Sequence, residues 1–199
     1  MAVLIIPICG WAGNCLKQLP HFWFAAFVVL LGGTLDTRAQ ADISKEYQIK
    51  AVFLFNFTQF VDWPPTAFTS ADEPFCIGVL GEDPFDAFLD ETVRGEKVNG
   101  HPLIVQRYHN VSDITNCQVL FISRSESKRV DQILASLKDQ NILTVSDIDG
   151  FAKSGGVICF VTEQNKIHFR INLAAAKNAG LTISSQMLQL AEIVQPGGD

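Results

Sequence analysis

The chain has 199 residues, 48% of them hydrophobic, with 15 Lys and Arg against 21 Asp and Glu for a net charge of −6. A composition this apolar excludes a disordered chain. No cluster of Lys and Arg interleaved with aromatics is present, which excludes a nucleic-acid surface.

In chain order, His21 to Leu35 comes first, an apolar run without an acid, followed by Ala39-Gln40-Ala41. Small residues at −3 and −1 suit a signal peptidase pocket, and the run falls short of the ~20 residues of a membrane span. The sequence therefore predicts a signal peptide over residues 1–41, cut after Ala41, and a periplasmic product, an uncleaved anchor being the competing reading. Removing 41 residues of the 199 leaves 158, enough for one domain with a real core. The leader holds Lys17, Arg38 and Asp36, so 13 basic and 20 acidic residues remain, a net −7. Cys9 and Cys15 leave with it, while Cys76, Cys117 and Cys159 stay. Their spacing matches no zinc pattern, and an oxidising compartment makes a disulfide the default, with one thiol left over.

Asp42 to Val61 reads as the first helix, opened by Asp42 and Ser44 and stopped by Trp63-Pro64-Pro65. Its middle, Ala51 to Phe57, is apolar all round, so it is buried or packs on a partner. Phe75–Leu80 is a buried strand ending at Gly81, and Asp83-Pro84-Phe85 opens a helix with Asp83 as cap. Pro102–Tyr108 and Cys117–Ile122 are further strands. A helix from Glu126 to Asp139 follows, with Val130, Ile133, Leu134 and Leu137 at helical spacing. Ile142–Val145 is a fourth strand. Val157–Thr162 and Lys166–Asn172 form an antiparallel hairpin, and Leu173–Ala179 and Ser184–Val194 are closing helices. The fold class predicted is a single α/β domain over 42–199. It has a mostly parallel sheet, helices on both faces and a C-terminal antiparallel hairpin.

Chemistry-bearing patterns are sparse. Gly78-Val79-Leu80-Gly81 lacks the third glycine of a phosphate loop, and Asp83 at the helix mouth would repel phosphate. His101, His109 and His168 are scattered, and the serines at 123, 125 and 127 lack a Gly-x-Ser-x-Gly elbow. The expectation is a binding protein, with no catalytic residue, no cofactor and no metal.

Several landmarks then fall in order. They are Lys50 to Phe57 running to Trp63-Pro64, Cys76 to Gly81 with Asp83-Pro84-Phe85, Cys117 to Ser123, and Leu143 to Asp147. Phe151-Ala152 with Gly155-Gly156, Phe169 to Lys177, and Leu181 to Ser185 complete the set. This pattern, from about Tyr47 to Leu190, resembles the YfiR family. The resemblance implies a periplasmic, disulfide-using, dimeric regulator that represses a membrane-bound diguanylate cyclase through its periplasmic domain. It implies a partner surface at Arg170, Asn172 and Lys177, with Arg170 standing where the family often carries an acid. The alternative is a small-ligand sensor with an aromatic pocket around Trp63. The first and third strands are expected as parallel neighbours, which predicts a Cys76–Cys117 disulfide and leaves Cys159 reduced.

Overall fold

The computed structural model describes residues 35–70 and 72–195, with side chains from Ser44 onward. Most of the expected leader lies outside the described residues. By internal packing the chain divides between Gln40 and Ala41, and everything below concerns the second unit.

Helix α1 spans Leu35–Phe60. It starts before the expected cap residues because no glycine or proline interrupts residues 35–60. It ends as Val61–Asp62 (β1) pairs antiparallel with Thr182–Ile183 (β9), ahead of the two prolines. Then come β2 (Phe75–Leu80), α2 (Phe88–Val93), β3 (Lys97–Val98), β4 (His101–Tyr108) and β5 (Val119–Ile122). A 3-10 turn over Arg124–Arg129 leads into α3 (Val130–Ser136), then β6 (Leu143–Ser146). The hairpin strands β7 (Ile158–Glu163) and β8 (Lys166–Asn172), helices α4 (Leu173–Asn178) and α5 (Ser185–Leu188), and β10 (Glu192–Val194) complete the chain.

The main sheet has the order β10-β8-β7-β6-β5-β2-β4-β3. Its centre, from β7 to β4, is parallel, and β7–β8 is the antiparallel hairpin. The β7–β8 turn is Gln164-Asn165, both at positive φ, as a two-residue hairpin requires. Alternation divides the core into two layers. Phe75, Ile77, Val79, Val119, Phe121, Leu143 and Val145 face α1, α2, α4 and α5. Leu80, Leu120 and Ile122 face Val130 and Ile133 of α3 on the other side. The expected α/β architecture is present, with helices on both faces.

Several elements differ from expectation. The helix expected over Glu126–Asp139 is a 3-10 turn as far as Arg129 and an α-helix only over Val130–Ser136. The helix expected from Pro84 begins only at Phe88, because Asp86 sits at φ 50, outside helical space. Asp83 still caps locally, its Oδ1 accepting from the Phe85 N–H at 2.8 Å. The expected last helix stops at Leu188, and Glu192–Val194 instead adds a strand parallel to β8. There it pairs along the side of β8 away from β7.

Candidate functional site

Ligand sites of open parallel sheets lie beyond the carboxyl ends of the strands, where the order reverses. Here the chain lays β4 on one side of β2 and β5 on the other, so the switch lies between β2 and β5. That crevice is filled. A Cβ on Gly81 (φ +92) would stand 2.4 Å from Ser125 Oγ and 2.9 Å from Glu126 Cγ. Ser125 Oγ also accepts from the Glu82 N–H at 3.0 Å. The Gly78–Gly81 segment thus turns the chain around protein side chains, leaving no cradle for a phosphate.

One strand further on, charge converges. Asp147 follows β6, Arg124 follows β5, and Glu46, Tyr47 and Lys50 line the inner side of α1. Lys50 is wholly buried. Its Nζ donates to Asp147 Oδ2 at 2.5 Å and contacts Glu46 Oε1 at 2.6 Å. Tyr47 Oη donates to the same Oδ2 at 2.8 Å, and Arg124 Nε approaches it at 3.3 Å. The ammonium also sits 4.4 Å from the Tyr47 ring centroid, a cation–π distance. Burial, and then the Asp147 charge, push the Tyr47 phenol well above its ordinary value, so it stays a donor. Asp147 Oδ1 is buried with no hydrogen-bond partner among the described residues. Sequence reading passed over this network because Lys50 lies four residues from Leu54 in an apolar segment, and its partner is 97 residues away. The one available signal was a lysine leading into an all-apolar helix face.

The cysteines lie in the other core layer, all three buried as thiols. The expected adjacency of their strands is present, with β2 and β5 parallel neighbours and the Gln118 N–H donating to Cys76 O at 3.1 Å. Cys117 Sγ donates to Val119 O at 3.0 Å, and its closeness holds the Cys76 thiol below its usual range, while burial pushes Cys117 well above. Gly78 makes this possible. A Cβ there would stand 2.7 Å from the Tyr108 ring and 2.8 Å from Cys117 Sγ. The ring therefore lies over bare backbone and brings Tyr108 Oη to 3.7 Å from Cys76 Sγ. Cys159 stands apart, its thiol directed to Ile148 O at 3.3 Å and raised by burial.

The residues expected to meet a partner divide. Arg170 is partly exposed on β8 and pairs with Glu192 at 2.7 Å and Glu163 at 3.7 Å. Lys177 is exposed on α4. Asn172 is wholly buried, which removes it from any contact surface. Both ends of its amide are used internally: Oδ1 caps α4 by accepting from the Ala175 N–H, and Nδ2 donates to Ala152 O. Trp63, expected beside an aromatic pocket, packs within the fold. Its ring packs edge-on to Phe75 and its Nε1 donates to Gln118 O. A groove of about 280 Å³ lies instead between α3 and α4, with Leu134, Leu137, Val157 and Ala175 among its walls. His101 stacks on Phe68 and bonds Glu73 O through Nδ1, while His109 and His168 are exposed. Among the described residues no three His, Cys, Asp or Glu side chains are placed to hold a metal ion.

No curated protein matches the chain. Among solved structures it is similar to an ABC domain in complex with L-Trp from Streptococcus pneumonia. The TM-score is 0.46 at 12% identity, over 60% of this chain and 55% of that one. It is similar also to a conserved domain protein from Vibrio cholerae O1 biovar El Tor. There the TM-score is 0.45 at 12% identity, over 59% of this chain and 54% of that one. The chain thus spans about half the length of these two structures. A family pattern described as YfiR/HmsC-like matches residues 47–192, from Tyr47 of the charge network to Glu192 beside Arg170. The chain belongs to the YfiR/HmsC-like family, a family of periplasmic regulatory proteins.

Proposed function

We propose that this protein is exported, loses residues 1–41, and represses a membrane-bound diguanylate cyclase by contact with its periplasmic domain. The observation that carries the reading is the basic pair at the end of the hairpin. Arg170 on β8 and Lys177 on α4 remain accessible, while the intervening Asn172 holds the strand and helix in register from below. Arg170 already binds two carboxylates at the surface, so an acidic partner can compete for the same guanidinium. In this reading the protein is a homodimer that holds no cofactor and catalyses nothing. The apolar α1 side chains Ile49, Val52 and Phe60, exposed by 51%, 48% and 38%, suit a second copy.

The test is capture of the cyclase from detergent-solubilised inner membranes by the purified protein. Arg170→Glu should weaken capture at least tenfold, through repulsion of an acidic partner and added charge beside Glu163 and Glu192. As a surface ion pair it should cost less than about 1 kcal/mol of stability. Full capture by this variant refutes the surface. Sedimentation showing a monomer at micromolar concentration refutes the dimer, and an intact mass that includes residues 1–41 refutes the leader. A second reading, a small-ligand sensor, is favoured by the groove between α3 and α4. A thermal shift with small aromatic metabolites, abolished by Ala175→Trp, would support it over direct repression alone.

A further inference from the structure

Among the described residues, Asp147 Oδ1 is the buried side-chain oxygen left without a hydrogen-bond partner. All three donors that reach this carboxylate crowd onto Oδ2. A buried carboxylate oxygen without a donor is costly, so its position asks where a donor comes from. The geometry of α1 restricts the answer. Helical side chains lean toward the helix N-terminus, and Lys50 does so, reaching back one turn to Glu46 Oε1 at 2.6 Å. Asp147 therefore stands level with the turn that holds Glu46 and Tyr47. Residue 42 shares a face with Glu46, and its nitrogen lies about 6 Å further along the axis, four residues at ~1.5 Å each.

Among the described residues no hydrogen-bond donor meets Asp147 Oδ1. Among the described residues Lys50 is the buried cation between two carboxylates, those of Asp147 and Glu46, and Glu46 also accepts from Thr162 Oγ1 of β7 at 3.0 Å. Arg124 pairs with Oδ2 at 3.3 Å from a side chain 63% exposed, so Lys50 and Arg124 both serve that oxygen and leave Oδ1 open. The remaining titratable neighbours, the Tyr47 phenol and the Cys159 thiol of β7, are both held protonated by burial.

We propose that the α-ammonium of Asp42, released when the leader is cut, seats on Asp147 Oδ1 and locks α1 onto the sheet. The inference rests on the leader reading above. In the uncut chain the Asp42 nitrogen is an amide within α1. Hydrolysis of the Ala41–Asp42 peptide bond by signal peptidase consumes one water, leaving a carboxylate on Ala41 and an ammonium on Asp42. The first turn of the shortened helix has no intrahelical acceptors for its N–H groups, so it can unwind to close the remaining distance. The regulator would thus gain this contact, at the end of an α1 already packed on the sheet, only after export.

The experiment uses protein purified from the periplasm with its mass checked to begin at Asp42. The α-amine should titrate at least one unit above the ordinary ~7.7–8.0. A raised value means its contribution to stability is present below pH ~8 and fades as pH rises through the folded value. Selective acetylation of that amine should speed hydrogen exchange over Tyr47–Leu54 at least tenfold. In Asp147→Asn the same acetylation should change nothing further. An amine titrating in the ordinary range, with exchange indifferent to acetylation, overturns this inference alone. A natural product that retains its leader overturns both this and the reading beneath it. Should Asp147→Asn fail to fold, the amine titration in the unaltered protein still decides.

Discussion

Replacing Lys50 by Met removes the closest partner of a carboxylate that is itself 1% exposed, while keeping most of the aliphatic stem in place. Breaking a buried pair on one side costs about 3–5 kcal/mol, because the remaining charge is stranded in low dielectric. Tyr47 Oη at 2.8 Å and Arg124 Nε at 3.3 Å stay beside Asp147 Oδ2, so the expected loss lies at the lower end, about 3 kcal/mol. Against a typical total of about 5–15 kcal/mol this is a severe change. In urea, with a slope near 2 kcal/mol per molar, the midpoint should fall by about 1.5 M. The companion variant Lys50→Met with Asp147→Leu removes both charges and should recover most of that loss, since apolar replacement of a whole buried pair is often neutral. Lys50→Met costing less than about 1 kcal/mol would refute a buried pair that anchors α1. So would a double variant as unstable as the two single changes added together.

Gly78→Ala would press a methyl against the Tyr108 ring and Cys117 Sγ, costing about 1–3 kcal/mol and lowering Tm by roughly 5 °C. An unchanged Tm would refute the slot. Thiol–disulfide exchange with an oxidising disulfide should join Cys76 to Cys117, reducing the donor's disulfide to two thiols. Closing a loop of 41 residues should add about 4 kcal/mol in the chain-entropy model. Non-reducing peptide mapping checks it, and a bridge through Cys159 would contradict it. Asn172→Ala removes the cap of α4 and strands Ala152 O, a loss of about 1–2 kcal/mol by chemical denaturation. Unaltered stability there would show that the amide serves the surface instead.

What could be read in advance was whatever depends on local pattern. Phe75–Leu80 and the Val119–Ile122 core of β5 announce themselves as short apolar runs, and the hairpin is marked by the short link Glu163-Gln164-Asn165 between two strand-like segments. The parallel order followed from strands alternating with helices. What escaped depends on partners distant in sequence. Glu192–Val194 has the leucines of a helix before it, and becomes a strand because β8 presents an open edge. Asn172 carries a polar side chain in a segment that was expected to face a partner, yet its two amide ends find Ala175 and Ala152 inside. Lys50 is the sharpest case. A lysine beside an apolar run ordinarily marks the solvent side, and the carboxylate that draws it inward appears only once β6 lies under α1.

The strand order also describes a sequence of events in time. The first long strand of the chain, β2, lies inside the sheet, and β5, β6, β7, β8 and β10 are each laid outward beyond it as they follow in the chain. A chain emerging N-terminus first can therefore extend the sheet one rung at a time, each new strand finding an edge already made. Contacts within the sheet wait on neighbours close in sequence, whereas the buried carboxylate that Lys50 of α1 meets, Asp147, lies 97 residues further on. The final rung is three residues long, so the edge left open at the end of synthesis is a short one, giving little purchase to the wrong chain.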